Sequence, residues 1–359
     1  MMLCYAYINK RTVKIDDAES FMPFSVWENN LDNMPLLPKD RLSLKIINRE
    51  IRTILHVPIV DKDEAIGVLE LFSFDENVVY LDEEEIRMIE NIVSFVPSII
   101  RNSELYNRIE KINKLLVNRD KQIQEEIKLA SKIQKSLLGI PPDLKGTKIS
   151  CFYKPMERVG GDFFDFIMVK DPDVIGIFIS DVSGHGVPAA FITTMLKVFI
   201  ETSGENKISP PLLLKYLNKN LIPLMGGNFI TAFYGVYDSE NKILRYSNSS
   251  HNFPLLIRDK HLIELKGKGK FIGVFDDVEF EEKSIKLKNG DKLIFYTDGV
   301  IESVDSSGIN FEEKFRNILL KNSELFPDQF IQNIYYELLF HRGDYNFEDD
   351  ICLICMNIG

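Results

Sequence analysis

Residues 159–186 read VGGDFFDFIMVKDPDVIGIFISDVSGHG, and two acidic clusters in this stretch enclose an apolar run. Residues 173–180 are mostly β-branched or aromatic and have the length of a strand, which predicts a buried strand. Such a strand delivers Asp181 at its end, while Gly160-Gly161 lets the backbone before Asp162 approach other atoms closely. Crowded carboxylates repel one another, so this pattern predicts a cleft that either protonates an acid or binds a cation.

Two further acidic clusters occupy equivalent positions later in the chain. Asp298 follows the predicted strand 292–297, and the acids of Phe347-Glu348-Asp349-Asp350 lead into the last strand. A single Asp-Gly pair is usually a turn, but acids at several strand ends are better explained as oxygen ligands for Mg²⁺ or Mn²⁺. The histidines do not show a zinc-binding spacing.

Composition limits the class of protein and of partner. The chain has 359 residues, 45% hydrophobic and 27% charged, which is enough for two or three globular domains. Its net charge of −11 argues against nucleic acid or a membrane as partner. No apolar run reaches the ~18 residues of a membrane span. The four cysteines are too scattered for a disulfide framework, and we expect a cytoplasmic protein.

The N-terminal region, residues 1–100, predicts a small α/β module. Residues 1–40 contain scattered prolines and predict irregular structure with one strand at residues 3–8. Residues 51–74 predict a strand hairpin, and Asp82 begins a helix rich in acids at its start. Residues 51–106 resemble the C-terminal part of a GAF domain, which implies a partial GAF-like sensor or dimerisation region.

A helical linker is predicted at residues 101–140. Residues 102–136 contain neither Pro nor Gly, and apolar residues recur every seven positions, which predicts a coiled-coil helix and a homodimer. Arg119 and Glu126 interrupt the other half of the seam. The alternative is a surface helix packed on its own domain. The helix should stop at Gly139-Ile140-Pro141-Pro142.

The remaining residues, 141–359, predict the effector domain. Several antiparallel strands are flanked by helices in two groups, so the fold class is α+β, a layered sandwich. Cys352 and Cys355 lie three apart on the last strand and should face opposite sides as packed thiols rather than as a metal or redox pair.

Five motifs occur in the order of a known family. They resemble the PPM-type metal-dependent Ser/Thr phosphatases, in particular the bacterial SpoIIE/RsbU group, and they read VGGDFFDF, DVSGHGVPAA, NSSHNFPLL, YTDGVIE and EDDI. The resemblance implies an αββα sandwich with two metal ions, Mn²⁺ or Mg²⁺, between the sheets. It also implies a phosphorylated regulatory protein of the STAS type, an anti-sigma-factor antagonist, as substrate.

The resemblance assigns a role to each strand-end acid. Asp162 would hold one metal beside the backbone carbonyl of Val182, Asp181 would bridge both metals, and Asp298 and Asp349 would hold the other. A water bridging the two ions would attack phosphoserine or phosphothreonine.

Neighbouring residues keep two interpretations each. The Ser183 to Gly186 turn either shapes the site or supplies His185 as a proton donor. Asp165 and Asp350 could be outer acids of the site or structural residues, and Arg158 could bind phosphate or be a solvated charge.

Two positions depart from the family pattern. Cys352 stands where Thr is common, and Ser250 stands where Gly is common. Neither departure removes a metal ligand.

Two rival functions remain. Gly-Gly-Asp-Phe-Phe superficially resembles the GGDEF signature of diguanylate cyclases, but Phe163 stands where that signature has an acid. A catalytically silent scaffold that binds a partner through the linker is the stronger competitor.

Under the phosphatase hypothesis, the N-terminal module and the linker helix would act as a switch.

Overall fold

The structure, a computed structural model, describes residues 2–15, 53–73, 81–169, 172–345 and 347–359. The chain forms two compact units, Met1–Asp120 and Lys121–Gly359, which divide within one long helix.

The N-terminal unit contains a helix, α1 (Met2–Asn9), and an antiparallel sheet of three strands in the order β1 (Val13–Ile15), β2 (Thr53–Asp61), β3 (Glu64–Ser73). The strand predicted at residues 3–8 is wrong, because this segment is helical. Leu3, Ala6 and Tyr7 recur at helical spacing, and Ala6 is fully buried. The irregular structure predicted for residues 16–40 lies outside the described residues.

The hairpin predicted from residue 51 onward is confirmed. Strands β2 and β3 pair antiparallel around a turn at Lys62 and Asp63, both with positive φ. Leu55 and Val57 of β2 are buried against Val93 of the following helix. The GAF-like identity of this unit stays a prediction.

The helix α2 (Glu83–Leu137) is continuous over 55 residues and joins the two helical segments predicted from the sequence. It begins with a capping box in which Asp82 Oδ1 accepts the N–H of Glu85 (2.8 Å) and Glu85 Oε2 accepts the N–H of Asp82 (3.0 Å). It ends just before the predicted stop at Gly139. In the described parts of the chain, neither this helix nor any other combines the length and apolar character needed to cross a membrane.

The C-terminal unit contains two antiparallel sheets of five strands. The strand bounds are β4 Thr147–Lys154, β5 Phe163–Met168, β6 Val174–Val182, β7 Ile230–Asp238, β8 Ile243–Ser249, β9 Leu255–Arg258, β10 His261–Glu264, β11 Lys283–Lys286, β12 Lys292–Tyr296 and β13 Ile351–Ile358. One sheet has the order β10-β9-β12-β13-β4 and the other β11-β8-β7-β6-β5.

Helices cover the outer faces of both sheets. Their bounds are α3 Val187–Glu201, α4 Pro210–Leu221, α5 Asp298–Ile301, α6 Glu312–Lys321 and α7 Pro327–Arg342, with 3-10 turns at Gly204–Ile208 and Ile222–Leu224. Helices α3 and α4 pack on the β5–β8 side, and α6 and α7 pack on the β12–β13 side. The four layers confirm the predicted α+β sandwich.

The central core lies between the two sheets. It is built from alternate residues of each strand, such as Phe233 and Phe295, whose ring centroids lie 5.6 Å apart. Cys352 belongs to this central core and Cys355 to the core under α6 and α7, so the two thiols face opposite sides as predicted. Both are free thiols.

Candidate metal centre

The predicted site lies where strands of both sheets begin or end. In one sheet, Asp162 immediately precedes β5 and Asp181 lies near the end of its neighbour β6. In the other sheet, Asp298 follows β12 and Asp349 precedes the neighbouring β13. Because neighbouring strands are antiparallel, the end of one lies beside the start of the next, and each sheet therefore contributes a pair of acids at one edge.

The two pairs of acids are close enough to repel one another. Burial, followed by the charges of Asp298, Asp349 and Asp350, raises the pKa of Asp181 to about 8. Burial and the charge of Asp349 raise the pKa of Asp298 to about 6. These influences cross from one sheet to the other, so the structure brings together acids that lie far apart in the sequence.

Asp162 is the most deeply buried acid of the group, with 1% of its surface exposed. Burial and the charges of Asp181 and Asp350 raise its pKa well above the usual value, while a hydrogen bond from Thr297 opposes this rise. The Thr297 hydroxyl donates to Asp162 Oδ2 at 2.6 Å. Thr297 is absent from the predicted site residues, and its only signal in the sequence is its position before the Asp-Gly pair at a strand end.

Asp350 holds in place the loop of Gly160 and Gly161, here called the glycine loop, through hydrogen bonds to its carboxylate. Its Oδ1 accepts the N–H of Met156 (2.7 Å), and its Oδ2 accepts the N–H groups of Gly161 (2.5 Å) and Asp162 (3.3 Å). A Cβ on Gly160 would lie only 2.2 Å from Asp350 Oδ2, so this close approach requires glycine. These contacts favour the interpretation of Asp350 as an outer acid of the site, because its carboxylate orients the loop that carries Asp162.

The backbone carbonyl of Val182 also lies beside this loop. The Val182 N–H donates to the carbonyl of Gly161 at 3.3 Å, and a Cβ on Gly161 would lie 2.7 Å from the Val182 oxygen. The second glycine of the pair therefore permits the approach between the loop and the end of β6.

Asp165 lies away from the acidic group. Its neighbours Phe164 and Phe166 pack between the sheets, so Asp165 faces the helix layer, where its Oδ2 lies 2.8 Å from Lys197 Nζ of α3. A buried carboxylate paired with a lysine is a structural feature, and this pairing does not support Asp165 as an outer acid of the site.

The turn after β6 is closed by Ser183. Its N–H donates to the carbonyl of Phe229 (2.9 Å), and its Oγ accepts the Phe229 N–H (2.8 Å). His185 is exposed, with Nδ1 3.6 Å from Glu157 Oε1. These contacts favour the interpretation that the turn shapes the site.

Arg158 contacts the linker helix. Its guanidinium donates to the carbonyl of Gln124 in α2 at 2.9 Å. Nearby, the buried side chain of Gln134, near the end of α2, contacts the backbone of Gly160. Gln134 is absent from the residues predicted for the site, because polar residues are common throughout this helix and only the structure shows that this one is buried.

The backbone conformation and hydrogen bonds show how the structure accommodates the two departures from the family pattern. Ser250 has a φ of 53°, a left-handed conformation that glycine adopts at least cost. His251, which follows it, is buried, and burial lowers its pKa to about 4, so the ring is neutral at physiological pH. The N–H of Cys352 donates to the Thr297 hydroxyl at 3.0 Å, a contact that does not depend on the Cys352 side chain.

The donor set fits a hard divalent cation. Carboxylates and a backbone carbonyl are the ligands that Mg²⁺ and Mn²⁺ prefer. A cation would offset the burial and the mutual repulsion that raise the pKa values of Asp162, Asp181 and Asp298. Within the described residues, no three His, Cys, Asp or Glu side chains are already arranged to hold one ion.

The fold is shared with solved phosphatase structures. The SiaA-PP2C domain of Pseudomonas aeruginosa superposes with a TM-score of 0.58 at 22% identity, covering 67% of this chain and 98% of that domain. The C-terminal unit therefore has the fold of a PP2C-type phosphatase.

Sequence comparisons place the chain within a family. The family model described as Stage II sporulation protein E (SpoIIE) matches residues 171–359. Phosphoserine phosphatase RsbU of Bacillus subtilis is 29% identical over 239 residues, 66% of this chain and 70% of RsbU. Phosphoserine phosphatase RsbP of the same organism is 28% identical over 248 residues, 66% of this chain and 58% of RsbP. The chain belongs to the SpoIIE family, and the expected enzyme class, a Ser/Thr protein phosphatase, is confirmed.

Proposed function

We propose that this chain is a metal-dependent phosphatase that removes phosphate from serine or threonine of a regulatory partner protein. One observation carries the proposal: each sheet places a pair of acids at its edge, Asp162 with Asp181 in one sheet and Asp298 with Asp349 in the other. The charges of one pair raise the pKa values of the acids in the other pair. A cation bound in such a site would favour the ionised forms of Asp162 and Asp181, whose pKa values burial and neighbouring charges raise.

Each acid would have a separate task. Asp162 and the Val182 carbonyl would bind one ion, Asp298 and Asp349 would bind a second, and Asp181 would lie between them. Two Mn²⁺ or Mg²⁺ ions, when bound, would supply an activated water and neutralise the charge of the phosphoryl group. The chain itself would orient these ligands, through Asp350 on the loop before β5 and Ser183 on the turn after β6.

The proposed substrate is a small phosphorylated protein of the STAS type. Support comes from the sequence motifs shared with the SpoIIE/RsbU group and from similarity to two proteins named as phosphoserine phosphatases. The net charge of −11 further favours a protein partner over nucleic acid. A reducing cytoplasmic location fits the four free cysteines.

We also propose that the linker helix forms a homodimer and regulates the site. Ile109, Leu116 and Ile123, spaced seven residues apart, are exposed by 53%, 61% and 43%, which leaves an apolar stripe for a second copy of the helix. At its other end, α2 contacts the loop before Asp162 through Gln124 and Gln134. A shift of the helix would therefore act on the position of Asp162.

The test is Mn²⁺-dependent hydrolysis of an aryl phosphate and of a phosphorylated STAS-type protein by the full chain. Asp181→Ala should abolish both activities, whereas Glu240→Ala, which changes an exposed acid in the turn between β7 and β8, should leave them unchanged. Wild-type protein that hydrolyses neither substrate but binds the STAS-type protein would favour the scaffold alternative.

A further inference from the structure

Thr297 lies at the junction of the two acidic pairs. It follows β12, directly precedes Asp298, and is fully buried. Its Oγ1 lies 2.6 Å from Asp162 Oδ2 and 3.0 Å from the backbone nitrogen of Cys352. Asp162 directly precedes β5 of one sheet and Thr297 directly follows β12 of the other, so this hydrogen bond links the two sheets beside the candidate metal centre.

The direction of these hydrogen bonds is fixed by chemistry. The N–H of Cys352 can only donate, so the Thr297 oxygen accepts it. The single hydroxyl hydrogen of Thr297 is then available for Asp162, whose carboxylate oxygen accepts it. The Thr297 N–H also donates to the carbonyl of Cys352 at 3.2 Å, and a β-branched side chain has restricted rotation about χ1. The hydroxyl is therefore held in one orientation.

We propose that Thr297 is a positioning residue that holds Oδ2 of Asp162 and leaves Oδ1 for a divalent cation. The inference rests on the proposed function, in which Asp162 is a metal ligand. A ligand carboxylate that a neighbouring residue already holds by a hydrogen bond does not have to be ordered when the ion binds. Its affinity for the ion is therefore higher.

A neighbouring hydroxyl provides a matched control. Ser303 is also buried, and its Oγ donates to the carbonyl of Gly299 at 2.7 Å. It lies in the same segment of chain, and among the residues that the structure describes it makes no hydrogen bond to Asp162, Asp181, Asp298 or Asp349. Removing this hydroxyl tests the general effect of losing a buried hydrogen bond near α5.

The experiment measures binding of Mn²⁺ alone to the full chain by isothermal titration calorimetry. Thr297→Val keeps the shape of the side chain but loses the hydroxyl, and it should weaken Mn²⁺ binding by about 10- to 100-fold. Thr297→Ser keeps the hydroxyl and should restore wild-type affinity, and Ser303→Ala should bind like the wild type. Thermal unfolding in EDTA checks that each variant is folded.

The outcomes separate this inference from the proposed function. If Thr297→Val binds Mn²⁺ like the wild type while Asp162→Asn loses binding, the role of Thr297 is overturned and the metal centre stands. If the wild type itself binds no Mn²⁺, the proposed function is overturned together with this inference. If Thr297→Val and Thr297→Ala both fail to fold, Thr297 is a structural residue and the positioning role is overturned.

Discussion

Gln134 and Gly160 are joined by two reciprocal hydrogen bonds: Gln134 Nε2 donates to the Gly160 carbonyl at 2.6 Å, and the Gly160 N–H donates to Gln134 Oε1 at 3.1 Å. The same Nε2 lies 3.1 Å from Thr193 Oγ1 of α3. A single buried side chain thus connects the end of the long helix, the loop before Asp162 and the helix that follows Asp181.

Replacing Gln134 by Ala should lower phosphatase activity about 10-fold and the free energy of unfolding by about 1–3 kcal/mol, because the buried backbone groups of Gly160 lose their partner. Steady-state kinetics with an aryl phosphate and urea unfolding measure the two effects. Gln122→Ala is the matched control, since Gln122 is exposed on the same helix and its amide donates to Glu126 Oε1 of the next turn at 3.4 Å. Unchanged kinetics in a folded Gln134→Ala protein would contradict the proposed coupling.

The apolar stripe of the linker predicts a specific pattern of dimer loss. Leu116→Glu should weaken self-association at least about 10-fold, because a charge would lie in the apolar seam of the coiled coil. Val117→Glu, one residue away and also exposed, should have little effect. Analytical ultracentrifugation over a range of concentrations makes the comparison. Equal effects of both changes would argue against a seam at the heptad positions.

The glycine before Asp162 should not tolerate a side chain. Gly160→Ala would bring a Cβ within 2.2 Å of Asp350 Oδ2, and the required shift should destabilise the protein by about 1–3 kcal/mol and weaken Mn²⁺ binding. Gly67→Ala is the control, because its Cβ would meet Ile59 at 3.5 Å, an ordinary contact. Chemical unfolding and calorimetry measure both properties, and a Gly160→Ala protein as stable as Gly67→Ala would refute the steric argument.

The raised pKa of Asp181 predicts that the metal-free protein loses stability as pH rises. The pKa is about 8 in the folded protein and 3.8 is the ordinary value, so between these values the folded state binds more protons than the unfolded state. The stabilising contribution is complete below about pH 4 and is lost as pH rises through 8. Asp298, with a pKa of about 6, contributes in the same direction.

Urea unfolding in EDTA at several pH values between 5 and 9 measures this dependence. Asp181→Asn should flatten the decline, because the amide does not titrate. An identical decline in wild type and variant would show that Asp181 is not the group responsible. With Mn²⁺ present, the protein should instead gain stability as pH rises, since the ion competes with protons for the same carboxylates.

Local sequence patterns were sufficient to predict most strands and helices of the C-terminal unit. Residues 173–180 form a strand because their apolar and β-branched side chains can fill both the central core and the core under α3. β4 was not predicted, because an edge strand with lysines at Lys148 and Lys154 has no clear alternation. For residues 3–8 a strand was predicted where the structure has a helix. An apolar run this short fits either a helix or a strand until its packing partner is known.

The sequence by itself determined three features of the candidate site: acids at strand ends, glycines before Asp162, and motifs in a family order. These depend on residues close together in the chain, where backbone preferences and spacing act. Only the tertiary structure decided which polar groups support the acids, namely Thr297 on Asp162, Asp350 on the glycine loop and Gln134 on Gly160. Each of these contacts joins residues from different strands or helices, and a hydrogen bond between distant segments leaves no periodic signal in the sequence.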